Sequence, residues 1–140
     1  MNRVQIALVQ LSFEKILPRK EATAQMFYER LFQLDPSLRP LFKTDLKEQG
    51  KKFMDMLELL VGGLLEFDDV VPALREMGER HIKYGAKPAH YWTLQTALLW
   101  TLEQVLGDEF TGETRQAWSD VYDLLARAML KLPSVSGPSS

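Results

Sequence analysis

Gly78-Glu79-Arg80-His81-Ile82-Lys83-Tyr84-Gly85, followed after a short break by His90-Tyr91, is the stretch that decides how this chain is read. His81 is one of two histidines in 140 residues. It closes an apolar row, Val70, Leu74, Met77, His81, whose spacing is that of one face of an α-helix. Asp68 or Asp69 is expected to open that helix, and Gly85 and Pro88 to end it. An imidazole in an apolar stripe is either a hydrogen-bonded core residue or a ligand, and its surroundings must decide between them.

Working outward, helical periodicity continues almost everywhere, while the alternation of half-buried strands is missing. Ile6, Val9, Phe13 and Ile16 form a first amphipathic helix, stopped near Leu17 because Pro18 disfavours helical geometry in the residue before it. A second begins around Lys20, carries Ala24, Phe27, Tyr28, Leu31 and Phe32, and gives way at Asp35-Pro36 to a short helix through Leu41-Phe42. Thr44 or Asp45 can cap a long helix whose inward stripe reads Gln49, Phe53, Met56, Leu57, Leu60 and Leu64. Another helix runs from Ala89 to Leu106 and ends at Gly107. Thr111 caps a last one carrying Trp118, Val121, Tyr122, Leu125 and Met129. The expectation is one all-α domain over residues 1–132, with a flexible polar tail at 133–140.

Composition removes several classes of function. A net charge of −2 provides no broad basic field for phosphates, and Lys51-Lys52 is too small to count as a patch, so nucleic acid is not expected as a partner. With no cysteine there is no disulfide, iron–sulfur cluster, thiolate-ligated haem or thioether-attached haem. No basic stretch leads into a long apolar run at the N-terminus, and no segment approaches 18 uninterrupted apolar residues, so no membrane association is expected and the default location is the cytoplasm.

A neutral imidazole facing an apolar pocket suits haem iron, which needs one nitrogen ligand on one side and an open position on the other. Tyr28 and Gln49, a phenol and an amide among apolar neighbours, suit that open side as hydrogen-bond donors. The carbonyl of Met77, one turn before His81, is the expected acceptor for the second ring nitrogen. His90 reads as a polar helix-start residue, with a cofactor contact the lesser alternative, and Trp92, Trp100 and Trp118 read as packing.

From about Val4 to Leu130 the chain resembles the globins, more narrowly the bacterial single-domain globins and the globin half of the flavohaemoglobins. The resemblance rests on Phe27-Tyr28-x-Arg30-Leu31-Phe32 with Asp35-Pro36 and Leu41-Phe42, on the Gln49-to-Phe53 spacing, and on Gly78-x-Arg80-His81-x-x-Tyr84-Gly85 with His90-Tyr91. It implies a globin fold, a haem-binding helical sandwich, holding haem b. By that resemblance His81 is the proximal iron ligand, Phe42 stacks on the porphyrin, Tyr28 and Gln49 line the distal side, and Phe53, Tyr84 and Tyr91 belong with the cofactor contacts. Lys52 is expected to pair with a haem propionate or to stand solvated. Tyr91 matches a tyrosine that in flavohaemoglobins joins a proximal network with a glutamate of the last helix. This chain departs there, since the stretch from Trp118 to Pro133 shows no matching glutamate.

The implied function is reversible oxygen binding with high affinity, the gases in question being oxygen, nitric oxide and carbon monoxide. Two alternatives stand beside it: a nitric oxide dioxygenase, and a helical sensor or interaction domain that binds no haem. No flavin- or nicotinamide-binding βαβ pattern follows Leu130, so catalytic turnover is expected to need an external reductase.

Overall fold

The computed structural model describes residues 1–42 and 45–132. Among them run α1 Arg3–Ile16, α2 Lys20–Leu34, α3 Leu46–Gly62, α4 Phe67–Lys83, α5 Pro88–Leu106 and α6 Gly112–Met129, with no strand, so the all-α reading holds. The Thr44 cap and the flexible tail at 133–140 fall outside the described residues. No helix among the described residues is long and apolar enough to cross a membrane.

The helix ends follow their capping chemistry. The Gln5 N–H donates to Asn2 Oδ1 (2.9 Å) and the Asn2 N–H to Gln5 Oε1 (3.1 Å), a reciprocal box at the start of α1. Asp45 accepts from the Glu48 N–H and Thr111 from the Thr114 N–H, fixing the starts of α3 and α6. Asp35 accepts from the Ser37 N–H (3.1 Å) and Pro36 opens the following turn, but Pro36–Leu41 is a 3-10 helix. Pro40 inside it lacks the N–H an α-helix needs.

Two boundaries differ from expectation. A 3-10 turn, Leu64–Glu66, feeds directly into α4, so its cap is Glu66. Asp68 and Asp69 lie instead in the first turn, where their charge favours the positive end of the helix dipole. Pro88 is the first residue of α5, the position where a missing N–H costs nothing.

Packing divides the molecule. α1 lies on α6, α2 on α3 and α5, and α5 on α6. Between α1 and α6 the Phe13 and Trp118 rings stand 6.2 Å apart. Trp118 Nε1–H donates to Ser12 Oγ (2.8 Å), and the Ser12 hydroxyl donates to the Leu8 carbonyl (2.7 Å), so a buried polar pair is fully satisfied. Val9, Ala97, Leu102, Ala117 and Val121 fill the rest of that core.

At the α2–α3 crossing, a Cβ on Gly50 would stand 2.9 Å from the Ala24 Cβ, so only glycine lets the backbones approach this closely. That contact turns α3 from its expected orientation. Its buried line is Gly50, Met54, Leu57, Leu60 and Val61, with Leu64 in the turn beyond, and Gln49, Phe53 and Met56 stand half-buried at the edge.

α4 has α6 as its principal helix partner, and among the described residues it forms no close-packed interface with α2, α3 or α5. Gly78 brings it there: a Cβ at this position would lie 2.7 Å from the Met129 carbonyl carbon and closer still to its oxygen, so the two backbones touch. Only Leu74 and Gly78 of α4 are buried. Val70, Met77 and His81 are half-buried, and because α4 does not close-pack against α2 or α3 among the described residues, we read the space between them as a cleft.

Candidate functional site

One wall of the cleft is aromatic. α2 supplies Phe27, Tyr28 and Phe32, the end of the 3-10 turn supplies Phe42, and α3 supplies Phe53. Tyr28 lies at the centre with 4% of its surface exposed. Phe27 and Phe42 meet its ring edge-on at 5.0 and 5.4 Å, and Phe53 stacks on Phe27 at 4.5 Å. Burial pushes the Tyr28 phenol well above the ordinary tyrosine range, opposed only by its hydrogen bond with Gln49. The phenol therefore stays protonated and keeps a proton to donate, and the two polar residues singled out from sequence meet inside an apolar shell.

On the other wall, His81 Nδ1 lies 2.7 Å from the Met77 carbonyl oxygen. A carbonyl can only accept, so Nδ1 carries the proton and the lone pair resides on Nε2, the tautomer a metal ligand requires. The bond to the residue one turn earlier also fixes the ring plane. Tyr91 stands behind, its ring centroid 6.4 Å from that of His81. It is buried, and its hydroxyl has no hydrogen-bond partner among the described residues, in keeping with the missing glutamate. Tyr122 O–H donates to the Tyr91 backbone carbonyl at 2.5 Å and secures the start of α5 against α6.

The remaining expected residues separate from this group. Lys52 is exposed on α3. Tyr84 caps the C-terminus of α4 with 69% of its surface exposed, and the structure does not bring it to the cluster. His90 Nδ1 accepts from the Lys87 N–H (3.0 Å), the helix-start role expected of it. Trp118 is core. Trp92 and Trp100 are half-buried, with the guanidinium groups of Arg127 and Arg30 over their rings.

Sequence reasoning missed Tyr122 and Gly78. Tyr122 reads as one more apolar member of the α6 stripe, and nothing local announces its bond to α5. Gly78 did carry a signal, because a glycine inside a helix is destabilising by about 1 kcal/mol relative to alanine and so implies a packing reason.

A flat, largely apolar group with a central metal fits this arrangement. α4 does not close-pack against the α2–α3 layer, the His81 ring has a nitrogen with no partner among the described residues, and an aromatic cluster holds the Tyr28 phenol with Gln49. Haem has that chemistry.

Residues 25–129 match the family model described as Globin. The chain is 25% identical over 133 residues to the flavohemoprotein of Bacillus subtilis (strain 168), covering 93% of this chain and 33% of that protein. It is 26% identical over 127 residues to the flavohemoprotein of Xylella fastidiosa (strain Temecula1 / ATCC 700964), covering 89% and 32%. It is 27% identical over 143 residues to leghemoglobin-1 of Lupinus luteus, covering 90% and 91%. The chain thus spans about a third of the flavohemoproteins and nearly the whole of the leghemoglobin.

Proposed function

The chain belongs to the globin family, and on that premise we propose that it holds haem b through His81 and binds oxygen reversibly. The observation that carries this is the Nδ1–Met77 bond at 2.7 Å, which commits one imidazole nitrogen to the backbone and frees the other for iron. When bound, the haem supplies an iron centre with one open position for a diatomic gas.

The chain's own residues tune that position. Tyr28 stays neutral and can donate its phenolic proton to a gas that draws electron density, while Gln49 holds the phenol. Phe27, Phe32, Phe42 and Phe53 keep water from competing, which strengthens any hydrogen bond made inside. Oxygen is more strongly polarised on binding than carbon monoxide and gains more, so slow oxygen release is the signature.

The test is the absorption spectrum of the protein supplied with haem, followed by gas dissociation from Tyr28→Phe. Losing one charge-assisted bond of about 1.5–3 kcal/mol speeds oxygen release roughly tenfold to a hundredfold, with little change for carbon monoxide. Equal acceleration of both gases means a steric role for Tyr28, and no acceleration puts it outside the pocket.

Oxidation of nitric oxide to nitrate, with electrons from an external reductase, is the second reading and uses the same Tyr28–Gln49 pair. Among the described residues the Tyr91 hydroxyl has no carboxylate partner, which weighs for oxygen binding as the first. A nitric oxide electrode separates them. A carrier consumes one equivalent and stops, whereas a dioxygenase sustains consumption when a reductase and nicotinamide cofactor are present.

A further inference from the structure

α1 is apolar on two opposite faces. Ile6, Val9, Phe13 and Ile16 are buried against the rest of the molecule, whereas Val4, Ala7, Leu8 and Leu11, at i, i+3, i+4 and i+7, form a second stripe on the other side of the helix. Val4 is 64% exposed and Leu11 59%. Leu65, 61% exposed in the turn before α4, extends the patch, because it borders the same shallow groove as Ala7 and Gln10. Gln10 is held there by donating to the Val61 carbonyl (2.9 Å). Single exposed apolar side chains are ordinary on a monomer. A row of them on one helix, with a neighbour alongside, marks an interaction surface.

The charges beside the stripe select its occupant. Arg3 and Glu14 are exposed, and neither has an ion-pair partner among the described residues. They stand 11 residues apart, about three turns at 3.6 residues per turn, so they share one edge of the stripe at opposite ends of the helix. Lys15, at the end of the stripe, is neutralised by Glu109 at 3.0 Å. When two copies of a helix cross antiparallel about a two-fold axis, each edge meets the same edge of the other copy with its ends exchanged. Arg3 of each copy then stands beside Glu14 of the other, and Val4 falls opposite Leu11. Such a face is complementary to itself reversed. It matches neither an anionic lipid surface, which calls for bases along the edges of the apolar stripe, nor a partner of one sign.

We propose that the outer face of α1, Val4, Ala7, Leu8 and Leu11 with Leu65 beside them, is the interface of a homodimer in which the two α1 helices pack antiparallel and exchange Arg3–Glu14 ion pairs. α1 has 14 residues, so at 1.5 Å per residue the contact is about 21 Å long. One helix from each copy makes a small interface, so the dimer is micromolar rather than nanomolar; the apolar stripe supplies the affinity and the two rim ion pairs the direction. α1 forms no close-packed interface with α4 among the described residues, so the dimer is built away from the helix that bears His81. The proposal stands independently of the haem reading.

The test is the mass of the purified protein in solution. Sedimentation equilibrium between about 1 and 500 µM at about 20 mM salt is expected to show a monomer–dimer equilibrium. Val4→Asp/Leu11→Asp stays monomeric throughout with unchanged helical circular dichroism, since both side chains are largely exposed. Leu59→Asp, at a 77% exposed apolar position on α3, dimerises like the unmodified chain. Arg3→Glu and Glu14→Arg each weaken the dimer about tenfold, because each puts like charges at both rims. Both substitutions suit the helix dipole, an acid at the start of α1 and a base near its end, so folding is not impaired. Mixed one to one, the two single variants pair with each other at the affinity of the unmodified chain. Loss alone and recovery together are what the antiparallel exchange requires. Monomer at every concentration, a dimer that survives Val4→Asp/Leu11→Asp, or charge variants that do not recover on mixing overturns the proposal. A monomer that binds phosphatidylglycerol vesicles through the same stripe overturns it too, and assigns the face to a lipid surface.

Discussion

The core between α1, α5 and α6 and the cleft between α4 and the α2–α3 layer draw on similar residues and reach opposite ends. In the first, Trp118 donates to Ser12 and Ser12 to the Leu8 carbonyl, and Val9, Ala97, Leu102 and Ala117 are closed from solvent. In the second, Val70, Met77, His81 and Phe53 are only half-buried, one His81 nitrogen is uncommitted, and the Tyr91 hydroxyl has no partner among the described residues. A packed interior uses up its contacts and hydrogen bonds within the chain. The cleft keeps unused capacity of several kinds in one place, and that marks where something other than the chain belongs.

Truncation on the two sides should separate them most strongly. Leu102→Ala in the closed core should destabilise the protein by about 2–5 kcal/mol, with or without haem, because it leaves a cavity in packed surroundings. Phe42→Ala should cost less than that in haem-free protein, since its ring is half-buried, yet it should raise the rate of haem loss. Urea unfolding with and without haem measures both. Equal costs in haem-free protein would remove the distinction between core and cleft.

His81→Gly should leave helical circular dichroism unchanged and abolish the proximal iron–nitrogen bond, with added imidazole restoring it in the ferric spectrum. His90 does not substitute, being committed to the start of α5. An unchanged ferrous carbonyl spectrum without imidazole would exclude His81 as the ligand.

Gly78→Ala sharpens the comparison from the other wall. Its Cβ would meet the Met129 backbone, so α4 must move, with a cost of about 1–3 kcal/mol. The iron–histidine stretching frequency should shift with it. Gly62→Ala, where an added Cβ meets nothing within 4 Å, should be neutral or stabilising by up to about 1 kcal/mol. A normal frequency in the Gly78 variant would place the α4–α6 contact outside the control of His81.

The smallest effect is alkaline. Burial raises the ionisation of Tyr28 and Tyr122 in the folded state. Each phenol stays protonated in the fold at a pH where the unfolded chain has released its proton, so stability is complete below about pH 10 and falls above it, by about 1.4 kcal/mol per pH unit for each group. Tyr28→Phe should make that decline shallower in denaturant titrations between about pH 9.5 and 11.

The fold was legible because its signals are local and redundant. Asp35-Pro36, Asp45 and Thr111 stop and start helices by chemistry that involves only their neighbours. The position of His81 in its stripe and its bond to Met77 likewise depend on one helix alone. Tyr28 with Gln49 could be paired because the resemblance supplied the relation between two helices. The rotation of α3 could not be read, since it depends on Gly50 meeting Ala24 across a crossing. Tyr84, expected among the cofactor contacts, stands exposed as the cap of α4, where the direction of the side chain follows the turn and no spacing rule defines it. Lys131–Glu79, like Tyr122 with Tyr91, joins residues too far apart in the chain for any spacing rule.

The contact between Gly78 and Met129 has a mechanical consequence. α6 acts as a strut whose last turn presses on the backbone one turn before the His81 ring. The Leu132 N–H donates to the Arg127 carbonyl (2.8 Å) and Lys131 reaches Glu79 on α4, so the strut is tied off where it bears its load. Loosening that knot by a few tenths of an ångström would travel along one rigid helical turn to His81, so the height of the ring is set in part by the last residues of a helix that never enters the cleft.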